Sequence, residues 1–393
     1  MPRALIIGGG VSGPVTAMAL QRAGLEAVVY ETHAYTTADI GSYLTVASNG
    51  LAALRAIGAE EPVMAAGFPT NVSVLSSGAG KRLGRVAIGS SRGPASHTVK
   101  RAHLHRALHR AAADRGIPFE FEKRLVAAEA TASGVVARFG DGTSASGDLL
   151  IGCDGVHSVT RRMVDADAPP PRYVGLLNFG GYTPGVAAAE PGTWHMIFGR
   201  HAFFGYTSDL AGGTVWFANV PREPSTAAER QQTSAEEWKR RLVQLFASDC
   251  GPAVDLISSG VLQLSADNTH DLPSVGRWHN GPMLIIGDAA HAPSPSSGQG
   301  ASMAIEDGVV LAKCLRDHRD CRTAFAAFER IRRPRVERIV AQGARSSSTK
   351  ALGPLGRTVR DALMPLLFRY VITDTSLAWM YDHEMEWTSR IVH

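Results

Sequence analysis

The chain has 393 residues, 45% hydrophobic and 19% charged, with a net charge of +4, enough for roughly two or three domains of about 150 residues. Its arginines are dispersed rather than gathered into a basic tail, which argues against nucleic-acid binding, and Cys153, Cys250, Cys314 and Cys321 lack both CxxC spacing and the density of a disulfide framework, so no metal site is expected. No apolar run approaches the roughly 18 residues of a membrane span, and the run in "MPRALIIGGG" is too short for a signal peptide, so the expectation is a cytoplasmic protein without an anchor.

From the N-terminus, "ALII" reads as a short buried strand, "GGGVSG" as a glycine turn, "PVTAMALQRAG" as a helix closed by Gly24, and "EAVVYE" as a second strand ending in an acid. That is a βαβ unit. Gly8, Gly10 and Gly13 are spaced as GxGxxG between strand and helix. Gly8 permits the tight turn, Gly10 lets a pyrophosphate approach the main chain, and Gly13 lets helix and strand pack closely. Val11 and Ser12 share this turn, where anionic oxygens meet free N–H groups and the positive end of a helix dipole. Glu31 stands at the end of the second strand, where a carboxylate can accept ribose hydroxyls.

From Arg101, "RAHLHRALHRAAADRG" reads as a helix with Leu104, Leu108 and Ala111 on one face and Gly116 as its stop. Residues 125 to 155 read as strands joined by turns, with a hairpin at "GDG" (Gly140 to Gly142) and a buried strand ending on Asp154. Between about Pro170 and Leu272, "TWHMIF", "AFFGYTS" and "GTVWFANV" read as antiparallel strands of a different layer. By alternation Met196 and Phe198 share one face, and Phe204 and Tyr206 share one face of the next strand. Those faces look either at a ligand or at the domain's own core, and they are the candidate substrate wall. The C-terminal "DALMPLLFRYVI" reads as a packing helix, with membrane-surface contact as the alternative.

After "MLII" comes "GDAAHAPSPSSGQGASMAIEDG". GxGxxG alone does not separate FAD from NAD. FAD adds a ribitol chain and an isoalloxazine ring, and so needs a second polar strand end and a second helix N-terminus. Asp288 suits the first need. Gly298, Gln299 and Gly300 suit the second, because their N–H groups would face the side of the ring that gains negative charge on reduction. The alternative is a connection that merely needs turns.

Together, Gly8 to Gly13 with Glu31, "CDG" at Cys153 to Gly155, and "GDAAH" followed by Pro295 and "GQG" resemble the FAD-dependent monooxygenases of the aromatic hydroxylase type, with the p-hydroxybenzoate hydroxylase fold. The resemblance extends to the helix at Arg101, the aromatic strands and "RRPR" near Arg333. It implies an α/β fold: a Rossmann-like FAD-binding domain (1–70, 97–170 and 273–345) interrupted by a mainly antiparallel β substrate domain (71–96 and 171–272), with a C-terminal helical segment (346–393). It further implies that the glycines line the FAD pyrophosphate, Glu31 its ribose and Asp288 its ribitol, while Pro295, Gly298, Gly300, Ala301 and Ser302 surround the flavin. Arg101 matches an arginine beside the cofactor; a solvated helix-start arginine is its alternative. Val126 falls at an adenine contact or is an interior strand valine. Asp154 belongs to the DG motif, associated with FAD and the nicotinamide donor, or is a simple turn aspartate. His291 is read as a loop-packing residue rather than a catalytic base. This chain departs from the family in lacking an arginine shortly after Glu31 and in having Ser302 where asparagine is common.

The implied activity uses NADH or NADPH and O2 to insert one oxygen atom, through a flavin C4a-hydroperoxide, into an aromatic or polycyclic small molecule, by a monomer or homodimer. Epoxidation, Baeyer-Villiger insertion, a reductase or dehydrogenase of the same fold, and a non-catalytic FAD protein remain alternatives. The WxWxI motif of flavin-dependent halogenases is missing.

Overall fold

The computed structural model describes residues 1–34, 42–90, 92–348, 350 and 353–391. Its centre is a six-stranded sheet ordered His279–Asn280, Met283–Ile285, Leu149–Gly152, Arg3–Ile7, Glu26–Tyr30, Phe119–Glu120, parallel except for the first pair. Leu149 to Ile151, Ala4 to Ile6 and Leu284 to Ile285 are buried almost completely, as continuous apolar runs in a sheet covered on both faces require. Helix Ser12–Arg22 and the long helix Gly300–Asp317 lie against each other on this sheet. Gly308 permits the contact, because a Cβ there would sit 2.8 Å from the Thr16 hydroxyl.

The second layer is a seven-stranded sheet ordered Val261–Asp271, Arg172–Thr183, Thr214–Pro221, Phe203–Ser208, Thr193–Phe198, Val72–Ser77, Arg82–Ala87. It is antiparallel apart from one parallel pairing, where Thr193–Phe198 meets Val72–Ser77. Helices Ala235–Phe246 and Ala253–Ser259 cover its back. They escape a strand-based reading, although Trp238, Leu242 and Phe246 recur every fourth residue and bury one helical face.

The C-terminal helix Pro354–Tyr370 packs Met364 and Phe368 toward the sheet, and a Cβ at Gly84 would strike the Phe368 ring. Its other side leaves Leu355, Val359, Leu363, Leu366 and Leu367 exposed. Among the described residues no helix is long and apolar enough to cross a membrane.

Candidate flavin site

The C-terminal ends of the parallel strands meet the front of the second sheet, and the sequence motifs converge there. After Ile7 the chain turns at Gly8 with φ +104°, where a Cβ would lie 2.5 Å from the Cys153 carbonyl oxygen of the adjacent strand end. A Cβ on Gly13 would collide with the Gly8 carbonyl, whereas Gly10 faces open space. Helix Ser12–Arg22, preceded by Val11, begins without a side-chain cap, so its first N–H groups are available to a ligand. Glu31 braces the turn: its Oε2 accepts the Gly9 N–H at 2.7 Å and its Oε1 the His33 N–H at 2.9 Å.

Two further strand ends supply acids. Asp154 accepts from the Ser158 hydroxyl at 2.5 Å, the Val159 and Thr160 N–H groups at 2.9 and 3.0 Å, and the Thr160 hydroxyl at 3.0 Å. It caps the short helix that follows. Arg161 in that helix is buried and donates to the carbonyls of Ala289 and Val156, tying this loop to the one after Asp288.

Asp288 differs. Among the described residues its carboxylate has no hydrogen-bond or ion-pair partner, and solvent reaches it although protein surrounds it. Crowding by that protein pushes its carboxyl up from the ordinary range; the charges of His291 and Arg101 oppose the shift and Asp307 adds to it. It lies within the electrostatic reach of Arg101, which also acts on Asp267 of the second sheet, and the space between these residues is the candidate cleft. Around it, Pro295 and Gly298 are exposed, Gly298 takes φ +62°, and Gly300 and Ala301 open helix Gly300–Asp317 without a side-chain cap.

Arg101 heads helix Arg101–Ala113, and its N–H is held by the Ser42 carbonyl at 3.0 Å. Its exposed guanidinium has no hydrogen-bond partner among the described residues, and its charge acts on both Asp288 and Asp267. Val126 is 52% exposed, which excludes the interior strand valine, because its strand is one edge of a small three-stranded sheet. Ser302 is buried, and its hydroxyl accepts the Ala47 N–H at 2.9 Å, so its side chain braces the neighbouring segment.

The two candidate faces of the substrate wall separate. Met196 packs with Trp194, Phe217 and Tyr43 on the front face, while Phe198, on the same face, packs with Phe203 and Leu83 and is covered by Met364 and Arg360 of helix Pro354–Tyr370. Gly205 makes room there, since a Cβ would press on the Phe217 ring and the Met196 sulfur. Phe204 and Tyr206 point the opposite way. They pack with Trp216, Trp238 and Phe246 beneath the covering helices, and do not line the front face. Alternation fixes which residues share a face but not which layer covers it.

Several residues outside the motifs brace the site. Arg332 is buried between Glu306 (2.6 Å) and Asp307 (2.7 Å), Arg335 reaches Glu306 at 2.7 Å, and Asn49 donates to Glu306 at 2.7 Å and Gln299 at 3.0 Å. Burial would raise both acids, but the charges of Arg332 and Arg335 hold Glu306 well below its ordinary range, and those of His291 and Arg332 do the same for Asp307. His291 donates Nε2–H to Asp307 at 2.6 Å, and Asp307 also takes the Gly287 N–H at 2.8 Å. This places His291 in the frame of the loop rather than in the cleft. At the cleft's other edge Asp267 feels Arg101, Arg230, His270 and His157, and the last two rings lie 5.2 Å apart. Contrary to the expectation that no histidines stand at HxH or HxxxH spacing, helix Arg101–Ala113 carries His103, His105 and His109 in that pattern. His109 Nε2 bonds the Gly9 carbonyl at 2.5 Å, and its ring lies 4.2 Å from that of His105, tilted by 32°.

An unpartnered carboxylate at a strand end, two uncapped helix N-termini and a glycine that leaves the main chain open suit a dinucleotide with a polyol link and an anionic ring edge. FAD has that chemistry. The family model described as an FAD-binding domain matches residues 2–343, and the chain belongs to this family of flavoprotein monooxygenases of the aromatic hydroxylase type. It is 30% identical over 346 residues to the FAD-dependent urate hydroxylase of Klebsiella pneumoniae, covering 86% of this chain and 88% of that protein. It is also 30% identical over 405 residues to 3-amino-4-hydroxybenzoate 2-monooxygenase of Streptomyces platensis, covering 98% and 96%. The crystal structure of Klebsiella pneumoniae HpxO complexed with FAD and uric acid superposes with a TM-score of 0.82 at 27% identity, over 97% of this chain and 96% of that one.

Proposed function

We propose that this chain is an NAD(P)H-consuming, FAD-dependent monooxygenase that inserts one atom of O2 into an aromatic or polycyclic small molecule. The reading rests on Asp288, a strand-end carboxylate without a hydrogen-bond or ion-pair partner among the described residues, next to the uncapped N-terminus of helix Gly300–Asp317, where a Cβ on Gly300 would lie 4.0 Å from its Oδ1. When bound, FAD supplies a two-electron carrier that accepts hydride from the nicotinamide and passes electrons to O2. The protein's part is to bind and orient it and to exclude water.

On this reading Gly8, Gly10 and Gly13 admit the pyrophosphate, Glu31 takes ribose hydroxyls, Val126 flanks the adenine, and Asp288 accepts from ribitol. Arg101 offers a bidentate cation to phosphate oxygens. The N–H groups at Gly300 and Ala301 favour negative charge at the pyrimidine edge. Asp154 and Arg161 fix the loop beside it. Met196, Trp194 and Phe217 form the substrate wall and keep the space above the ring dry. The urate and hydroxybenzoate named for the relatives are ring compounds, which supports an aromatic substrate class.

The test is anaerobic addition of NADPH and then NADH to the FAD-loaded protein, followed by O2 with a panel including urate, 3-amino-4-hydroxybenzoate and larger phenolic compounds. Bleaching of the flavin and a product heavier by one oxygen atom are expected. A flavin that neither donor bleaches, with or without these compounds, would overturn the reading.

A further inference from the structure

Helix Cys321–Ser348 runs beside the flavin loop: a Cβ on Gly343 would lie 3.0 Å from the Ser297 Cβ. Seven residues further along the chain, Lys350 lies at the front of the second sheet. Its Nζ lies 3.9 Å from the centroid of the Phe203 ring and 5.9 Å from that of Phe217, and it donates to the side-chain amide oxygen (Oδ1) of Asn219 at 2.8 Å. Asn219 is buried and donates in turn to Asn178 at 3.0 Å. Asn178 pairs across the sheet with Asp267, the residue that feels Arg101. Phe217 and Asn219 are two residues apart on one strand, so they share the face that carries Trp194 and Met196. Lys350 therefore stands on the aromatic front face of the second sheet, shortly after the helix that passes the flavin loop.

No carboxylate pairs with Lys350 among the described residues. A cation set among rings with only a neutral amide for company is poorly compensated. Burial alone pulls its ammonium down to about 7, a cost that an anionic neighbour would relieve.

We propose that Lys350 is a substrate-binding residue, with Asn219 holding its ammonium where it takes the ionised ring oxygen of a phenolic or enolic substrate. The proposal rests on the monooxygenase reading and narrows its substrate class: aromatic compounds whose acidic ring hydroxyl is bound as the anion. Such an anion pushes electron density into the ring positions to be oxygenated.

The experiment compares FAD-loaded wild type with Lys350→Met and Lys350→Arg, using 4-nitrophenol and its neutral ether 4-nitroanisole as probes. Affinities are read by equilibrium dialysis, and the ionisation state of bound 4-nitrophenol by its absorbance. Wild type should bind 4-nitrophenol as the phenolate and prefer it over the ether. Lys350→Met should lose roughly 10-fold or more of phenol affinity, as expected for a charge-assisted bond, and bind the ether unchanged, while Lys350→Arg should restore part of the preference. Equal losses for both probes, an unchanged preference in Lys350→Met, or no phenolate bound by wild type would overturn the proposal. Flavin content and reduction by NAD(P)H, measured on the same samples, report separately on the monooxygenase reading. Wild-type thermal stability in Lys350→Met would exclude misfolding as the cause of lost binding, and Asn219→Leu provides a second variant that should lower phenol affinity with Lys350 intact.

Discussion

Asp154 and Asp288 follow adjacent parallel strands of one sheet, yet their surroundings differ completely. Asp154 uses its carboxylate on four hydrogen bonds within its own loop, whereas Asp288 makes none with the described protein. The first is part of the scaffold. The second has the character of a ligand-binding group, held ready at an energetic disadvantage that a partner would remove. Glu306 and Asp307 extend the comparison: they are buried acids one helical turn beyond the cradle, and Arg332 and Arg335 neutralise them. On the proposed reading, function and stability rest on different acids of the same architecture.

Substitutions separate the two kinds of acid. Arg332→Leu should have the largest effect, about 3–5 kcal/mol, because it leaves two buried carboxylates undercompensated; urea unfolding of the apoprotein checks it. Phe204→Ala should cost about 3–5 kcal/mol by opening a cavity under the covering helices. Met196→Ala, on the half-buried front face, should cost less and instead alter which aromatic ligands the FAD-loaded protein binds, as flavin difference spectra would register. Asp154→Ala should cost about 1–3 kcal/mol, the range for a lost cap that also leaves buried donors unmet; a melting temperature close to that of wild type would show that the loop does not depend on it.

The glycine turns and Asp288 were legible in the sequence because their chemistry is local: a strand end, a tight turn and a helix start lie within a few adjacent residues. The helices behind the second sheet were written in the spacing of Trp238, Leu242 and Phe246, but the aromatic strands on either side dominate that region. The orientation of Phe204 and Tyr206 was not legible, since it depends on those helices. Nor were the partners of Glu306, because Asn49 and Arg332 are brought to it only by tertiary packing. Lys350 carries no local motif, and its setting comes from rings on distant strands.

The most direct measurement pairs FAD affinity with apoprotein melting temperature for wild type and Asp288→Ala. The expected result is an FAD dissociation constant weaker by roughly 10-fold or more, as for loss of a charged hydrogen-bonding group, with an apoprotein melting temperature equal to or slightly above that of wild type. Unchanged FAD affinity together with a clear loss of apoprotein stability would place Asp288 with Asp154 in the scaffold and contradict the account of the cleft.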